Sequence, residues 1–449
     1  MRKIADYNGV EIYYIPSDKF KTASISVSFC DNISRDRAFL NSLLPAVLGR
    51  GCRSCPTYRD IAIKCHELYG TDMGSDTDRR GEIQLIQFSA EFPRDEYISA
   101  LSSGVAGTNM KTEILSEVFS VMLDMIMNPV TEDGVFKESV VRMECENLEN
   151  FIKSFRNDKQ SYALQRTVEL MCSDEPYSIF EFGSEGDGKN VTAAGLYEYY
   201  RGYFLRKMPV KIFYCGGEEP DCIVRMIKER GFHDDCGEII ALKGGYLPEK
   251  CNPPEVRRVC EKFEVSDGKL IMGYRIDMDF SLRSRAALVV FNAIFGGISS
   301  SKLFRNVREK ESLAYYCSSR IVALKGILMC FAGIEAEDRE KAELMINAQL
   351  ESIKNGGVTA EELKTAKKMI LGELRSYKDT QFTLTDYYIS QSFMPGGIVE
   401  IDRMSEAVDK VSADEVIGTA QKIKLDTVYF MYNPNPGRDE FFDDDGGLE

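Results

Sequence analysis

The stretch GGISSSKLFRNVREKESLAYY, residues 296–316, is the most informative part of this chain. Two adjacent glycines reach backbone angles that other residues avoid, so they predict a sharp turn after a helix. Serines then offer an N-cap, and apolar residues recur at helical spacing, which predicts a second helix over about residues 301–310. The aromatic-rich residues that follow are typical of a strand. The stretch therefore predicts a glycine turn, a helix and a strand in succession.

This stretch resembles the carboxyl-terminal signature of the pitrilysin/insulinase-type zinc peptidases, a family that includes mitochondrial processing peptidase. It implies that Arg308 and Tyr315 bind substrate, donating hydrogen bonds to a peptide carbonyl held near a metal on a different domain. Taken alone, the same residues also fit a solvated helix with an Arg305–Glu309 pair and a core tyrosine. The resemblance rests on the order and spacing of Gly296, Gly297, Ser301, Leu303, Phe304, Arg308, Glu309, Lys310, Leu313, Ala314 and Tyr315.

Three pairs of similar segments, in the same order in each half, indicate an internal duplication. Residues 37–47 resemble residues 285–295, and each follows a strand-like run, over residues 22–29 or 269–276. The second pair of similar segments contains Thr131 in the first half and Thr359 in the second, and each threonine is predicted to cap a long amphipathic helix. A third pair, at residues 191–193 and 411–413, precedes a helix and a closing strand.

The mixture of strands and long helices in each repeat predicts an α+β fold with two homologous lobes, each a largely antiparallel sheet covered on one face by helices. A length of 449 residues also exceeds what a single core usually supports. Glycines and prolines cluster in residues 236–258, which we predict to link a first lobe, residues 1–235, to a second, residues 259–438. Residues 439–449 are predicted to form a mobile acidic tail.

The family resemblance further implies an amino-terminal helix bearing His-x-x-Glu-His, in which two histidines bind zinc and the glutamate is the general base. The repeat and the following glycine align this motif with residues 42–46. Ser42 and Ala46 replace the histidines, and Pro45 replaces the base. None of these side chains binds zinc strongly or accepts a proton from water. We therefore expect no catalytic residue, no metal and no cofactor in this chain, with zinc carried by a partner subunit.

Both histidines of the chain lie elsewhere. His66 and Glu67 begin like a His-Glu-x-x-His zinc helix, but Gly70 replaces the second histidine, so a helical surface histidine is the simpler interpretation. His233 lies near the predicted linker beside two aspartates, and we expect all three to be solvated.

Glutamates and cysteines offer further candidate ligands. Glu144 and Glu146 lie where the family's third zinc ligand would fall, and without histidines they are expected to form part of a solvated helix face. Cys52 and Cys55 form one Cys-x-x-Cys pair, which is a weak zinc signal without a second pair.

Composition narrows the function classes. A net charge of −15 and a pI near 5.0 weigh against a nucleic-acid binder, which needs a basic face. No apolar run is long enough to span a membrane, and the first residues resemble no secretory segment. Thirteen scattered cysteines fit a reducing compartment, so a cytoplasmic location is expected.

These observations favour an inactive peptidase-family subunit. It is expected to bind a peptide or an unfolded protein segment and to complement a paired zinc-bearing subunit in trans, because members of the family often work as heterodimers. Two alternatives stay open at this point. One is an active zinc metallopeptidase with unrecognised ligands, such as His66 with Glu67 or Cys52 with Cys55. The other is a purely structural subunit of an assembly.

Overall fold

Runs of apolar residues, alternating or continuous, set the central strands of the two large sheets, because one or both faces of each of these strands are buried. The structure is a computed structural model that describes residues 1–102, 113–217 and 219–434. The predicted acidic tail therefore lies outside the described residues. The strands are β1 (Arg2–Tyr7), β2 (Val10–Pro16), β3 (Thr22–Asn32), β4 (Asp72–Arg80), β5 (Ile83–Pro93), β6 (Thr131–Glu132), β7 (Val135–Phe136), β8 (Val210–Gly216), β9 (Arg257–Lys262), β10 (Gly268–Ile276), β11 (Tyr316–Val322), β12 (Ile327–Ile334) and β13 (Ile423–Tyr432).

Helices form many of the connections between strands. Of those in the described ranges, none is both long and apolar enough to cross a bilayer. Wider, π-type turns occur in Tyr200–Phe204, Ala293–Gly297 and Leu303–Lys310. The α-helices are α1 (Ala38–Leu48), α2 (Tyr58–Glu67), α3 (Asp95–Ser102), α4 (Ile114–Met127), α5 (Glu138–Ser154), α6 (Lys159–Met171), α7 (Ala193–Tyr199), α8 (Leu205–Lys207), α9 (Asp221–Glu229), α10 (Leu282–Asn292), α11 (Arg339–Lys354), α12 (Ala360–Ser376), α13 (Gln381–Gln391), α14 (Ile401–Lys410) and α15 (Ala413–Gln421).

The two large sheets share one topology. The first has the strand order β4-β5-β3-β8-β2-β1 and the second the order β11-β12-β10-β13-β9. In each sheet one pair is parallel, β2 with β8 and β9 with β13, and the other pairs are antiparallel. The predicted α+β fold with two homologous, largely antiparallel lobes is therefore confirmed, and the duplication extends from short segments to whole sheets.

The predicted helix caps differ in outcome between the two halves. Thr359 caps α12 in a capping box with Glu362, and the helix runs on for 17 residues. Thr131 caps no helix, because it pairs with Phe136 in the short β6–β7 ribbon and α5 begins later, at Glu138. The cap prediction was wrong there. A glycine after Asp133, with positive φ at both residues, closes a tight hairpin where the sequence pattern suggested a helix start.

Each sheet is also covered on its second face, by a helix from the other half. Along β10, Leu270, Met272 and Tyr274 face one core, while Ile271 faces a separate cluster formed with α6. A Cβ added at Gly273 would lie 2.6 Å from the sulfur of Met171, so the end of α6 rests directly on this strand.

The reciprocal packing involves α13 and the first sheet. Leu384 and Ile389 of α13 share a buried cluster with Tyr13 and Phe213 of the first sheet. At the start of the helix, the side-chain amide of Gln381 donates a hydrogen bond to the carbonyl of Thr22. The two lobes thus exchange one helix each, and their cores are continuous across the lobe boundary.

Equivalent hairpins of the two sheets meet at their tips. The β4–β5 turn holds Gly81 at φ +60 and the β11–β12 turn holds Gly326 at φ +67, both in the left-handed region that favours glycine. A Cβ added at Gly81 would lie 3.1 Å from the Cβ of Leu324, so no side chain fits between the tips without displacement.

A buried ionic cluster fills this junction. The Lys325 ammonium is fully buried and lies 2.6 Å from Glu82 and 2.5 Å from Glu175. Arg275 contacts Glu175 at 2.6 Å and Asp426 at 3.0 Å. Burial alone raises the pKa of Glu175, but the hydrogen bonds from Arg275 and Lys325 outweigh it and hold the pKa below its usual value. The cluster therefore joins the β4–β5 tip of the first lobe to the β11–β12 tip of the second. Glu175, which follows α6, contacts both Lys325 and Arg275.

Candidate functional site

The helix aligned with the family's zinc motif is α1, which packs between the first sheet and α5. Ser42 is 9% exposed, and its hydroxyl donates to the carbonyl of Glu181 at 2.8 Å. Pro45 is buried inside the helix, and Ala46 is half-buried one residue later. The three substituted positions therefore present one hydroxyl, which is already paired, and two side chains without polar atoms.

Beside Ser42, a buried amide occupies the space between α1 and the sheet. Gln84 of β5 is fully buried, and its side-chain nitrogen donates to the carbonyl of Glu181 at 2.6 Å and to that of Ala38 at 3.1 Å. The same nitrogen lies 3.3 Å from the Ser42 hydroxyl, and the Gln84 oxygen accepts from Asn41 at 2.9 Å. Each polar atom of this amide thus has a protein partner.

The network continues to a buried carboxylate. Asp31 accepts hydrogen bonds from Asn41 at 3.1 Å and from the Tyr203 hydroxyl at 2.9 Å. It also forms an ion pair with Arg37 at 2.8 Å. The Tyr199 hydroxyl donates to Asn41 at 2.5 Å, and burial raises the pKa of Tyr199 well above its usual value. The network is therefore neutral and closed, with the aspartate charge balanced by an arginine at its edge.

A loop covers this side of α1. A Cβ added at Gly183, where φ is +85, would lie 2.7 Å from the Cβ of Phe39, so the loop touches the helix closely. Glu149 of α5 accepts hydrogen bonds from the backbone amides of Gly186 at 3.0 Å and Gly188 at 2.9 Å. The loop is pinned between α1 and α5, and its Glu181 carbonyl binds the polar groups beneath it.

Glu144, at the position of the family's third zinc ligand, does not lie on a solvated helix face. Glu144 is only 5% exposed and forms an ion pair with Arg50 and a hydrogen bond with Asn147 at 3.1 Å. The expectation of a solvated Glu144 was wrong, because Arg50 after α1 supplies a counterion that makes its burial stable. Glu146, two residues on, is exposed as expected.

These residues do not fit a zinc ion. Zinc needs imidazole, thiolate or carboxylate ligands, and α1 offers a hydroxyl already bonded to a carbonyl. Glu144 of α5, the candidate third ligand, is committed to Arg50. Within residues 1–102, 113–217 and 219–434, no group of three or more histidine, cysteine, aspartate or glutamate side chains is arranged to hold a metal.

The other candidate ligands are dispersed. His66 is exposed on α2, as predicted. His233 is not solvated: it is 6% exposed, and its Nδ1 lies 3.2 Å from the carbonyl of Asn8. Burial lowers its pKa, which favours the neutral ring, and the ring packs against Phe232 and Phe29. Cys52 and Cys55 are buried free thiols, and burial raises the pKa of Cys52, which opposes the thiolate that a metal requires.

Arg308 and Tyr315 lie on the surface of the second lobe. Arg308 is exposed and stacks its guanidinium 4.5 Å from the ring centre of Phe304. Tyr315 is 59% exposed, and its hydroxyl donates to Glu335. The intervening turn is closed by the Leu313 amide, which donates to the Val307 carbonyl at 3.0 Å. The prediction of a helix followed by a strand is met by Leu303–Lys310 and β11.

Comparison with known proteins agrees with this arrangement. Over 425 residues the chain is 30% identical to the probable inactive metalloprotease YmfF of Bacillus subtilis (strain 168), covering 95% of this chain and 96% of YmfF. The chain belongs to the M16 peptidase family. A family model described as the peptidase M16 inactive domain matches residues 190–370. The predicted pitrilysin/insulinase-type membership, in a form without the zinc motif, is thus confirmed.

Solved structures share the fold of this family member. A conserved protein from Enterococcus faecalis V583 has a TM-score of 0.85 and 25% identity, covering 96% of this chain and 98% of that chain. The M16 inactive domain from Pseudomonas fluorescens has a TM-score of 0.75 and 15% identity, covering 97% and 98% of the two chains. The whole described fold, rather than one lobe, is therefore common to M16-type chains.

Sequence reasoning missed the buried network around α1. Asn41 lies within an apolar run of α1, and a buried polar residue in such a run needs a partner. This position of Asn41 was the only sequence feature that indicated a buried polar network. Its partners, Gln84 and Tyr199, lie 43 and 158 residues away along the chain, so local pattern did not reveal them.

Replacing Gln84 with leucine is expected to lower the free energy of unfolding by about 1–3 kcal/mol, because the Asn41 amide and the Glu181 carbonyl lose a buried partner. Urea unfolding followed by circular dichroism measures this. Gln87→Leu is the matched control, since Gln87 is only half-buried and its side-chain amide donates to the Ser26 hydroxyl at 2.6 Å. A Gln84→Leu protein as stable as wild type would contradict the account of this network.

Proposed function

We propose that this protein is a non-catalytic subunit of a cytoplasmic M16-type complex, which binds a peptide segment and completes the active chamber of a zinc-bearing partner. One observation carries the proposal: the positions aligned with the zinc motif hold a hydrogen-bonded serine, a proline and an alanine, whereas Arg308 and Tyr315 are exposed on the opposite lobe. A chain that had lost both functions would have no reason to keep two exposed hydrogen-bond donors in the family's substrate element.

The surroundings of the two side chains support peptide binding. Tyr315 directly precedes β11, which lies at the edge of the second sheet as described and pairs there with β12 alone. An edge strand offers backbone donors and acceptors to an extended peptide, which can add as a further strand. Arg308 and Tyr315 would then contact the backbone of that peptide from beside the edge.

Tyr315 must change partner in order to serve a substrate. Its hydroxyl now donates to Glu335, and that hydrogen bond raises the pKa of Tyr315. A peptide carbonyl in the chamber would have to replace the Glu335 carboxylate as acceptor. The side chains are exposed, so the exchange takes place in solvent and requires no opening of the core.

The same hydrogen bond favours a second candidate function. If Tyr315 and Glu335 stay paired, the surface around them serves assembly, and the protein is a structural subunit. In that case the partner's activity depends on contact between the chains and not on the donors of Arg308 and Tyr315.

The cytoplasmic location rests on the cysteines. Each of the thirteen is a free thiol in the structure. This pattern is typical of proteins in a reducing compartment.

Affinity purification of the full-length chain from its native lysate tests the proposal. We expect a second chain bearing His-x-x-Glu-His to elute with it in equal amounts, and a peptidase activity that a chelator abolishes. Recovery of this chain alone, as a monomer that cleaves and binds no peptide from a mixed peptide library, would refute the proposal. Mass spectrometry of the eluate and size-exclusion chromatography provide both measurements.

A further inference from the structure

A cavity of about 360 Å³ lies in the second lobe between α10, α12 and α13, away from both Arg308 and α1. Volumes of this order are typical of small-molecule sites. Phe382, at its rim, is 77% exposed, which is unusual for a large aromatic side chain. The apolar part of the wall includes Met278, Leu288, Val289, Ile321, Leu374 and Met394.

An arginine lines this cavity. Arg285 of α10 is 5% exposed, donates one hydrogen bond to the side-chain oxygen of Gln391 and donates another to the carbonyl of Gly397 at 3.3 Å. Both acceptors are neutral. Among the ion pairs of the described residues, Arg285 takes part in none. In the part of the chain that the structure describes, its three remaining N–H donors bind no carboxylate.

Arg285 of α10 differs from Arg275, the buried arginine of strand β10. Arg275 is 3% exposed and contacts two carboxylates, Glu175 and Asp426. Arg285 has none, and burial lowers its pKa, with only Tyr387 acting in the opposite direction. Buried cations in proteins are normally paired, because desolvating an unpaired charge is costly.

The carboxylates in the cavity wall are committed elsewhere. Asp386 forms an ion pair with Arg80 of the first lobe. Glu373 accepts a hydrogen bond from the Tyr377 hydroxyl at 2.7 Å. Neither contacts Arg285 within hydrogen-bond distance, and each adds negative charge to the wall. A ligand with two or more negative charges is therefore disfavoured, and one negative charge at Arg285 is favoured.

We propose that this cavity binds a hydrophobic monocarboxylate, with its carboxylate paired to Arg285 and its apolar body along the α10 and α12 side chains. A guanidinium binds a carboxylate through two parallel hydrogen bonds, and the apolar wall then buries the remainder of the ligand. Medium-chain alkanoates have this chemistry, as do free peptide carboxyl termini with an apolar last residue. The site is separate from the proposed peptide chamber, and its test is independent of any partner subunit.

Isothermal titration calorimetry of the full chain with sodium decanoate, below its micelle concentration, tests the proposal. We expect binding to the wild type, no binding of the uncharged analogue decanamide, and a dissociation constant about 10- to 100-fold weaker for Arg285→Met, which loses a charge-assisted pair. An acetylated tripeptide ending in leucine, compared with its carboxyl amide, distinguishes a peptide source from an alkanoate source. Arg285-dependent binding of either acid supports the site.

Two further variants keep the result interpretable. Arg283→Met changes an arginine on the same helix that is 82% exposed, and it is expected to bind decanoate like the wild type. Val289→Trp fills the cavity from a position that is 40% exposed, and it is expected to abolish binding even if Arg285→Met does not fold. Failure of both acids to bind the wild type, or equal binding by Arg285→Met, Val289→Trp or decanamide, would overturn the proposal.

Discussion

Lys325→Met is expected to lower the free energy of unfolding by about 3–5 kcal/mol, the range for removing one partner of a buried ion pair. The Lys325 ammonium is fully buried between Glu82 and Glu175, whose side chains are only 8% and 1% exposed, so a carboxylate that loses this partner stays largely desolvated. Arg275 still neutralises Glu175 in the variant, so Glu82 carries most of the loss. Chemical denaturation with urea, followed by far-ultraviolet circular dichroism, measures the change.

The control for this prediction is Lys378→Met. Lys378 forms an ion pair with Asp402 at 2.6 Å, but the side chains are 41% and 81% exposed. Exposed pairs contribute roughly 0–1 kcal/mol, so this variant should unfold close to the wild-type midpoint. A Lys325→Met protein no less stable than Lys378→Met would show that the junction between the hairpin tips does not hold the lobes together.

Arg308→Ala is expected to reduce kcat/KM of the proposed complex with a zinc-bearing partner by about 100-fold or more, the usual effect of losing one donor aimed at a developing oxyanion. Tyr315→Phe should have an effect of similar size, since it removes only the hydroxyl that now donates to Glu335. Both side chains are exposed, so the variants should assemble and fold like the wild type. Initial rates on a fluorogenic peptide, with complex formation checked by size-exclusion chromatography, provide the measurement.

Arg305→Ala is the matched control for Arg308→Ala. Arg305 lies three residues earlier in the same helical segment and pairs with Glu362 at 2.6 Å, away from the predicted substrate position. Its replacement should leave kcat/KM of the complex unchanged. If Arg308→Ala and Tyr315→Phe also leave it unchanged while assembly persists, the protein acts as a structural subunit and the trans-acting proposal fails.

Most of the fold was predictable from local pattern. The strand-like runs at residues 22–29 and 269–276 lie within β3 and β10, because alternation reports which faces of a strand are buried. The threonines of the second pair of similar segments were both predicted to cap a helix. The prediction was correct at Thr359 and wrong at Thr131. The second case failed because a glycine-containing hairpin competes with helix initiation over the same residues.

The features that the sequence did not reveal depend on distant partners. Glu144 and His233 were predicted to be solvated, yet both are buried and bind a group far along the chain. Glu144 binds Arg50, 94 residues away, and His233 binds the carbonyl of Asn8, 225 residues away. Residue type and spacing describe one element at a time. They do not identify which counterion or carbonyl reaches an element from another part of the fold.

The reciprocal packing of α6 and α13 also fixes where this polypeptide can be divided. A cut in residues 236–258 separates α6 from the β10 surface on which Met171 rests and removes α13 from the strands bearing Tyr13 and Phe213. Each fragment would expose an apolar helix face and an uncovered sheet, so neither is a self-sufficient folding unit. Two fragments produced together restore both surfaces, which makes split-chain complementation, rather than single-lobe expression, the suitable format for engineering this scaffold.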